Sequence, residues 1–196
     1  MNPFTKQSGT YSNQASAGSY SHGTAQLTFR PSDAKQFTKF CHAEIPDADL
    51  YVGDDPGKYG RDSEPHITVL YGLSNVGAAD VAEYAAHRRP VRVKLGKISR
   101  FESKDYDVLK VEVKSTQLHN LHNSIRNGVK NVYKFSDYKP HVTIAYVEKG
   151  AVKELDNDDR FDGKEFTFDR LTYRRKSGHS TNIQFTGSSV NPYTAN

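Results

Sequence analysis

The chain has 196 residues, 35% of them hydrophobic and 26% charged, which suits one globular domain with polar ends. Its apolar runs fall well short of the roughly 20 residues of a membrane-spanning helix, nothing at its start resembles a cleavable signal, and a lone cysteine, Cys41, leaves no internal disulfide or thiolate metal site, so a cytoplasmic protein without membrane attachment is expected. The net charge of +4 is local: residues 170–196 hold Arg170, Arg174, Arg175 and Lys176 and no Asp or Glu, while the other 23 basic residues balance 23 acidic ones, a distribution that fits a small phosphate-bearing ligand and not duplex DNA.

In chain order, residues 1–26 are rich in Ser, Gly, Asn, Gln and Thr, too polar to bury enough surface to offset their ordering entropy, and read as a flexible arm. Tyr20 stands in that arm, where an aromatic ring can close over a base by stacking. Residues 27–185 form the domain and 186–196 a second polar tail. Within the domain a short strand at 27–29 precedes a helix capped by Ser32 or Asp33 and stopped by Pro46. A Gly- and Asp-rich stretch at 53–64 reads as a mobile loop leading to a strand at 66–72. A helix at 78–87, paired strands at 91–101 and 107–114, and an amphipathic helix at 116–129 follow. Strands at 141–147, 166–174 and 181–185, with a short helix at 151–155, complete an α+β domain. His119 and His122 stand three apart on the predicted helix but lack a third ligand, so no metal is expected.

The strongest signal is internal. Residues 65–71 read PHITVLY and residues 140–146 read PHVTIAY, a repeat that packing alone does not require, since a core needs apolar periodicity and has no use for a second His and Thr. In a strand, positions i and i+2 share a face. His66 and Thr68 therefore point together, as do His141 and Thr143. Each unit offers an imidazole able to move a proton near neutral pH and a hydroxyl able to bond a phosphate oxygen. Two facing units supply the base, the acid and the oxygen-binding donors that phosphodiester cleavage needs, and either histidine can be the base. Tyr71 and Tyr146, five residues past each histidine, fall on the opposite face of a regular strand and read as packing residues.

These paired His-x-Thr units, in an α+β chain of this size, resemble the 2H phosphoesterase superfamily over most of 27–185. The resemblance implies a two-lobed, pseudo-symmetric fold with antiparallel sheets lining a central cleft, helices outside, and His66, Thr68, His141 and Thr143 as catalytic residues. The fuller strings PHITVLYGL at 65–73 and PHVTIAYVEK at 140–149 are most similar to the phage anti-CBASS group. That likeness implies hydrolysis, without metal or cofactor, of 3′–5′ linkages in cyclic di- or trinucleotides in a host cytoplasm. It also implies rings that sandwich the bases, for which Tyr20, Tyr71, Tyr146 and Tyr173 are candidates, strand geometry favouring packing for Tyr71 and Tyr146, with Arg174 at the phosphate. RNA 2′,3′-cyclic ends or 2′,5′-oligoadenylate are alternative substrates, and a module that sequesters a cyclic nucleotide without cutting it is the alternative of another class.

Overall fold

The structure, a computed structural model, describes residues 22–53 and 59–187. Eight strands and three α-helices follow the order β1 (Gly23–Thr28), α1 (Pro31–Glu44), β2 (His66–Leu73), α2 (Ala78–Ala85), β3 (Val91–Glu102), β4 (Tyr106–Lys114), α3 (Thr116–Gly128), β5 (His141–Glu148), β6 (Glu165–Phe168), β7 (Arg170–Arg174) and β8 (Ser180–Gln184). All strand pairs are antiparallel, in one sheet of order β6-β3-β4-β5-β2-β1-β7-β8. The α+β class and the two lobes are thus present, and the lobes are the halves of a single sheet. Each half holds four strands, and each has its His-x-Thr strand innermost. The halves meet at β2 and β5 through one pair, Ile67 opposite Val142.

The sheet is strongly curled. β6 and β7 are separated in sequence by Asp169 alone, yet one lies at an edge of the sheet and the other next to the opposite edge. Only a sheet rolled toward closure lets one residue make that step. Phe29 clasps the roll: its ring lies 4.9 Å from Phe37 on α1, 5.1 Å from Phe166 and 5.1 Å from Phe168, both on β6.

One face of the sheet is apolar and carries the helices. Leu27, Ile67, Leu109, Val111 and Val142 are fully buried there. They meet Phe37, Phe40 and Cys41 of α1, Val81 and Ala85 of α2, and Leu118, Leu121 and Ile125 of α3. The other face carries polar side chains at alternate positions.

Several boundaries differ from expectation. β1 begins at Gly23, four residues inside the segment expected to be an arm, because Gly23, Ala25 and Leu27 alternate inward with small side chains that a count of large aliphatics overlooks. α1 has no side-chain cap: Arg30 is the capping position and Pro31, with its preset φ, opens the helix. The single strand expected at 166–174 is two. Residues 59–64 of the Gly- and Asp-rich stretch run along β5, Arg61 bridging to Ala145 and the Asp62 amide donating to the Ile144 carbonyl; residues 54–58 and Tyr20 lie outside the described residues.

Candidate active site

The two histidines are held the same way. His66 Nδ1 donates to the Glu64 carbonyl at 2.9 Å and His141 Nδ1 to the Lys139 carbonyl at 2.7 Å. In both units the carbonyl belongs to the residue before a proline, which that proline drives into extended backbone. A carbonyl only accepts, so Nδ1 carries the proton and Nε2 is the basic nitrogen in each neutral ring. The Thr68 hydroxyl donates to His66 Nε2 at 3.3 Å. Burial pushes both imidazoles down to about 4, and nearby cations add to the effect: Arg174 on His66, Lys110 on His141. Both rings are therefore neutral at pH 7, and His66 lowers His141 further.

Register sets how the units face each other. With Ile67 opposite Val142, one step either way puts His66 across from Thr143 and Thr68 across from His141. The histidines are then diagonal neighbours, a relation that spaces residues about 7–8 Å apart. Two imidazoles related in this way, each with a threonine beside it, can serve a phosphate group placed between them.

Both motif strands break register just past the threonine. On β2, Gln26 pairs with Thr68 but Ala25 with Leu70; on β5, Lys110 pairs with Thr143 but Leu109 with Ala145. Val69 and Ile144 are the extra residues of two equivalent bulges, and a bulge reverses which face later residues take. Tyr71 and Tyr146 therefore share the histidines' face, contrary to the regular-strand expectation. Both are still packed: Tyr71 against His22, and Tyr146 in a ring cluster with Tyr59 and Tyr106.

The site lies between two depressions of unlike chemistry. A cleft of about 260 Å³ is lined by Thr68, His141, Phe101 and the segment 133–139, with Tyr133, Phe135 and Tyr138 as its other rings. Tyr138 donates its hydroxyl to the Thr68 carbonyl at 2.7 Å and lies flat on His122, rings 4.0 Å apart and 3° from parallel. A larger, open groove of about 950 Å³ begins at Glu64 and Pro65 and is lined by Thr28, Thr172, Arg174 and Asn182 among others. Hydroxyl-bearing and amide side chains connect along it, Thr28 to Thr172 and Thr172 to Asn182, and the buried Gln26 amide donates to Thr28 from outside the lining.

Of the residues singled out from sequence, His66, Thr68, His141 and Thr143 converge on one face. Arg174 is brought to His66, ion-paired at 2.8 Å with Glu64. Tyr173 is not a stacking platform: it is buried on the apolar face with its hydroxyl donated to the Val76 carbonyl. Its neighbour Arg174 faces the groove, so regular alternation turns Tyr173 away. His122, half of the helical histidine pair, is buried and donates to the Val69 carbonyl at 2.7 Å. Among the described residues no group of three His, Cys, Asp or Glu is arranged to hold a metal. Missed from sequence were Gln26, Lys110, Phe101 and the 133–139 wall. Lys110, a charge alternating with buried valines and leucine along β4, was the legible signal among them.

The family profile of the 2′-5′ RNA ligase superfamily matches residues 31–179. No curated protein matches the chain. Among solved structures it is similar to TT0787 of Thermus thermophilus (TM-score 0.60, 13% identity, covering 84% of this chain and 99% of that one), Usb1 of Kluyveromyces marxianus (0.55, 12%, 86% and 99%) and E. coli LigT complexed with 3′-AMP (0.54, 13%, 84% and 95%). At such identities these likenesses speak for the fold. The profile spans both His-x-Thr units and most of the chain, and with the curled antiparallel sheet that presents them it makes this chain a member of the 2′-5′ RNA ligase superfamily, the two-histidine phosphoesterases, enzymes of phosphodiester bonds.

Proposed function

We propose that the chain hydrolyses 3′–5′ linkages of a cyclic di- or trinucleotide of the kind used as an immune signal, without a metal, His66 and His141 exchanging protons with the attacking and leaving oxygens and Thr68 and Thr143 bonding the non-bridging oxygens. The observation that supports this reading is the shared bond from Nδ1 to a backbone carbonyl, which leaves Nε2 as the basic nitrogen of each ring on two neighbouring strands. Each ring can take or give a proton depending on how the ester lies, so acid and base are assigned by the substrate and not by the fold. The bound phosphate's negative charge favours the imidazolium form of whichever ring acts as acid. The paired depressions support a substrate with a nucleoside on each side of the scissile phosphate: rings of the smaller cleft suit a base, and hydroxyls with Arg174 along the groove suit sugar and phosphate. A second reading, cleavage at RNA 2′,3′-cyclic ends or in 2′,5′-oligoadenylate, is favoured by the mononucleotides in structurally similar proteins, 3′-AMP in E. coli LigT and uridine monophosphate in K. marxianus Usb1.

The test is turnover of cyclic di- and trinucleotides, 2′,5′-oligoadenylate and RNA 2′,3′-cyclic ends in the presence of chelator. Cleavage of the cyclic compounds is expected, with His66→Ala and His141→Ala each slower by about 10² or more. Turnover of RNA ends alone selects the second reading, binding of cyclic nucleotides without turnover selects sequestration, and loss of all turnover in chelator rejects the metal-free mechanism.

A further inference from the structure

We propose that Lys110 binds the non-bridging oxygens of the scissile phosphate from the His141 side of the site, a role that rests on the phosphodiesterase reading above. Lys110 lies on β4 opposite Thr143 on one side and Ser99 on the other, in the row of the polar face that runs on through Thr143 to His66. It is only 6% exposed. Its Nζ donates to Ser99 Oγ at 2.6 Å and sits 4.3 Å from the centroid of Phe101, whose ring meets His141 edge-on at 4.9 Å. Among the described residues it has no ion-pair partner. The charges acting on it are Glu112, exposed and two residues along β4, and Lys139, which repels it.

An ammonium out of water without a counter-ion is costly, and one hydroxyl plus one ring face compensate it in part. The fold does not need a cation here. Gln26, opposite Thr68 in the other half, occupies the equivalent place and is neutral. What the position lacks is an anion, and a phosphate seated between His66 and His141 would lie beside Thr143, Lys110's cross-strand neighbour. Charge gathers on the non-bridging oxygens as the ester is attacked, so a fixed cation in a dry site stabilises the transition state more than the ground state. Burial lowers the Lys110 ammonium and an arriving anion would restore it.

The experiment is titration of the wild type, Lys110→Met and the exposed control Lys104→Met with inorganic phosphate, followed by calorimetry and by the lysine Hε and Cε resonances, alongside turnover of the panel above. Lys110→Met is expected to fold, since an apolar chain replaces a buried charge. It should bind phosphate at least tenfold more weakly and lose about 10² in kcat/KM, with Lys104→Met unchanged. Lys110→Gln, copying Gln26, serves if the methionine variant does not fold. Phosphate binding by either variant within twofold of the wild type, or Lys110 resonances in the wild type that do not move with phosphate, overturns the proposal. If phosphate binding is lost in the variants while no nucleotide is cleaved by the wild type, the anion site stands and the phosphodiesterase reading falls. If nucleotides are cleaved and the variants match the wild type in both assays, the reading stands and Lys110 has no part in it.

Discussion

His66 and His141 are stored neutral, and that has two consequences that separate cleanly by experiment. Each ring is pushed down to about 4, chiefly by burial, against an ordinary value near 6.5. Between those values the unfolded chain binds protons that the folded chain refuses, so folding stability rises with pH across that window. The contribution is complete above about pH 6.5 and is lost as pH falls through about 4, at up to about 1.4 kcal/mol per pH unit for each ring. Urea midpoints are expected to drop steeply from pH 6.5 to 4.5, and the double variant His66→Asn, His141→Asn should flatten that slope; an unchanged slope would mean the rings are not held neutral. For catalysis, one ring must be charged to act as acid, and the bound phosphate favours that charge. The alkaline limb of kcat is therefore expected at higher pH than that of kcat/KM. The convergence of His66, Thr68, His141 and Thr143 on one face was legible because repetition of two polar types on one strand face has no packing explanation. Tyr173 misled because it adjoins Arg174 in a basic run, whereas neighbours on a strand cannot share a face. Lys110 was visible as a charge set between apolar residues of β4, but its neighbours Thr143 and Ser99 lie across the sheet, and cross-strand partners are invisible in a single chain's order.

The two bulges show what an element adds beyond its residues. Val69 and Ile144 are ordinary strand formers, and no local residue type marks the extra position. Each is instead pinned from outside, the Val69 carbonyl by His122 of α3 and the Ile144 carbonyl by the Asp62 amide and the Cys41 thiol. The consequence is a pair of strands that present His and Thr to the cleft and then turn Leu70 and Ala145 into the core while Tyr71 and Tyr146 take the cleft face. The same external fastening holds the wall of the smaller cleft. Tyr138, flat on His122, ties the segment between α3 and β5 to the Thr68 carbonyl. Tyr138→Phe keeps the ring and removes that bond, worth about 1 kcal/mol, which for a chain of this size corresponds to about 2–4 °C in Tm. On the proposed reading the wall holds a base of the substrate and transfers no protons, so KM should rise severalfold with kcat nearly constant. A fall in kcat with KM unchanged would instead place Tyr138 in the chemistry.

At the scale of the molecule, the question is whether two similar halves behave as one. The periodicity of 166–174 reads as one strand, and nothing local reveals that Asp169 parts it into β6 and β7 on opposite sides of the roll; that step is decided by closure of the whole sheet. The seam at the site is thin, with Ile67 and Val142 as its one pair. If that seam were all, the halves could part and the histidines with them. The counterweight is the crossing from β6 to β7, reinforced by Phe29, which follows β1 of one half and packs on β6 of the other and on α1. Phe29 is 5% exposed, so Phe29→Ala should cost about 3–5 kcal/mol, a large share of the roughly 5–15 kcal/mol typical of a domain. Since the clasp joins both halves, the loss should appear as one transition at lower urea, with amide signals of β4 and of β1 vanishing at the same midpoint and tyrosine fluorescence agreeing with circular dichroism. Separate midpoints for the two strands would show that each half folds by itself and that only the substrate, bridging His66 and His141, makes the site whole.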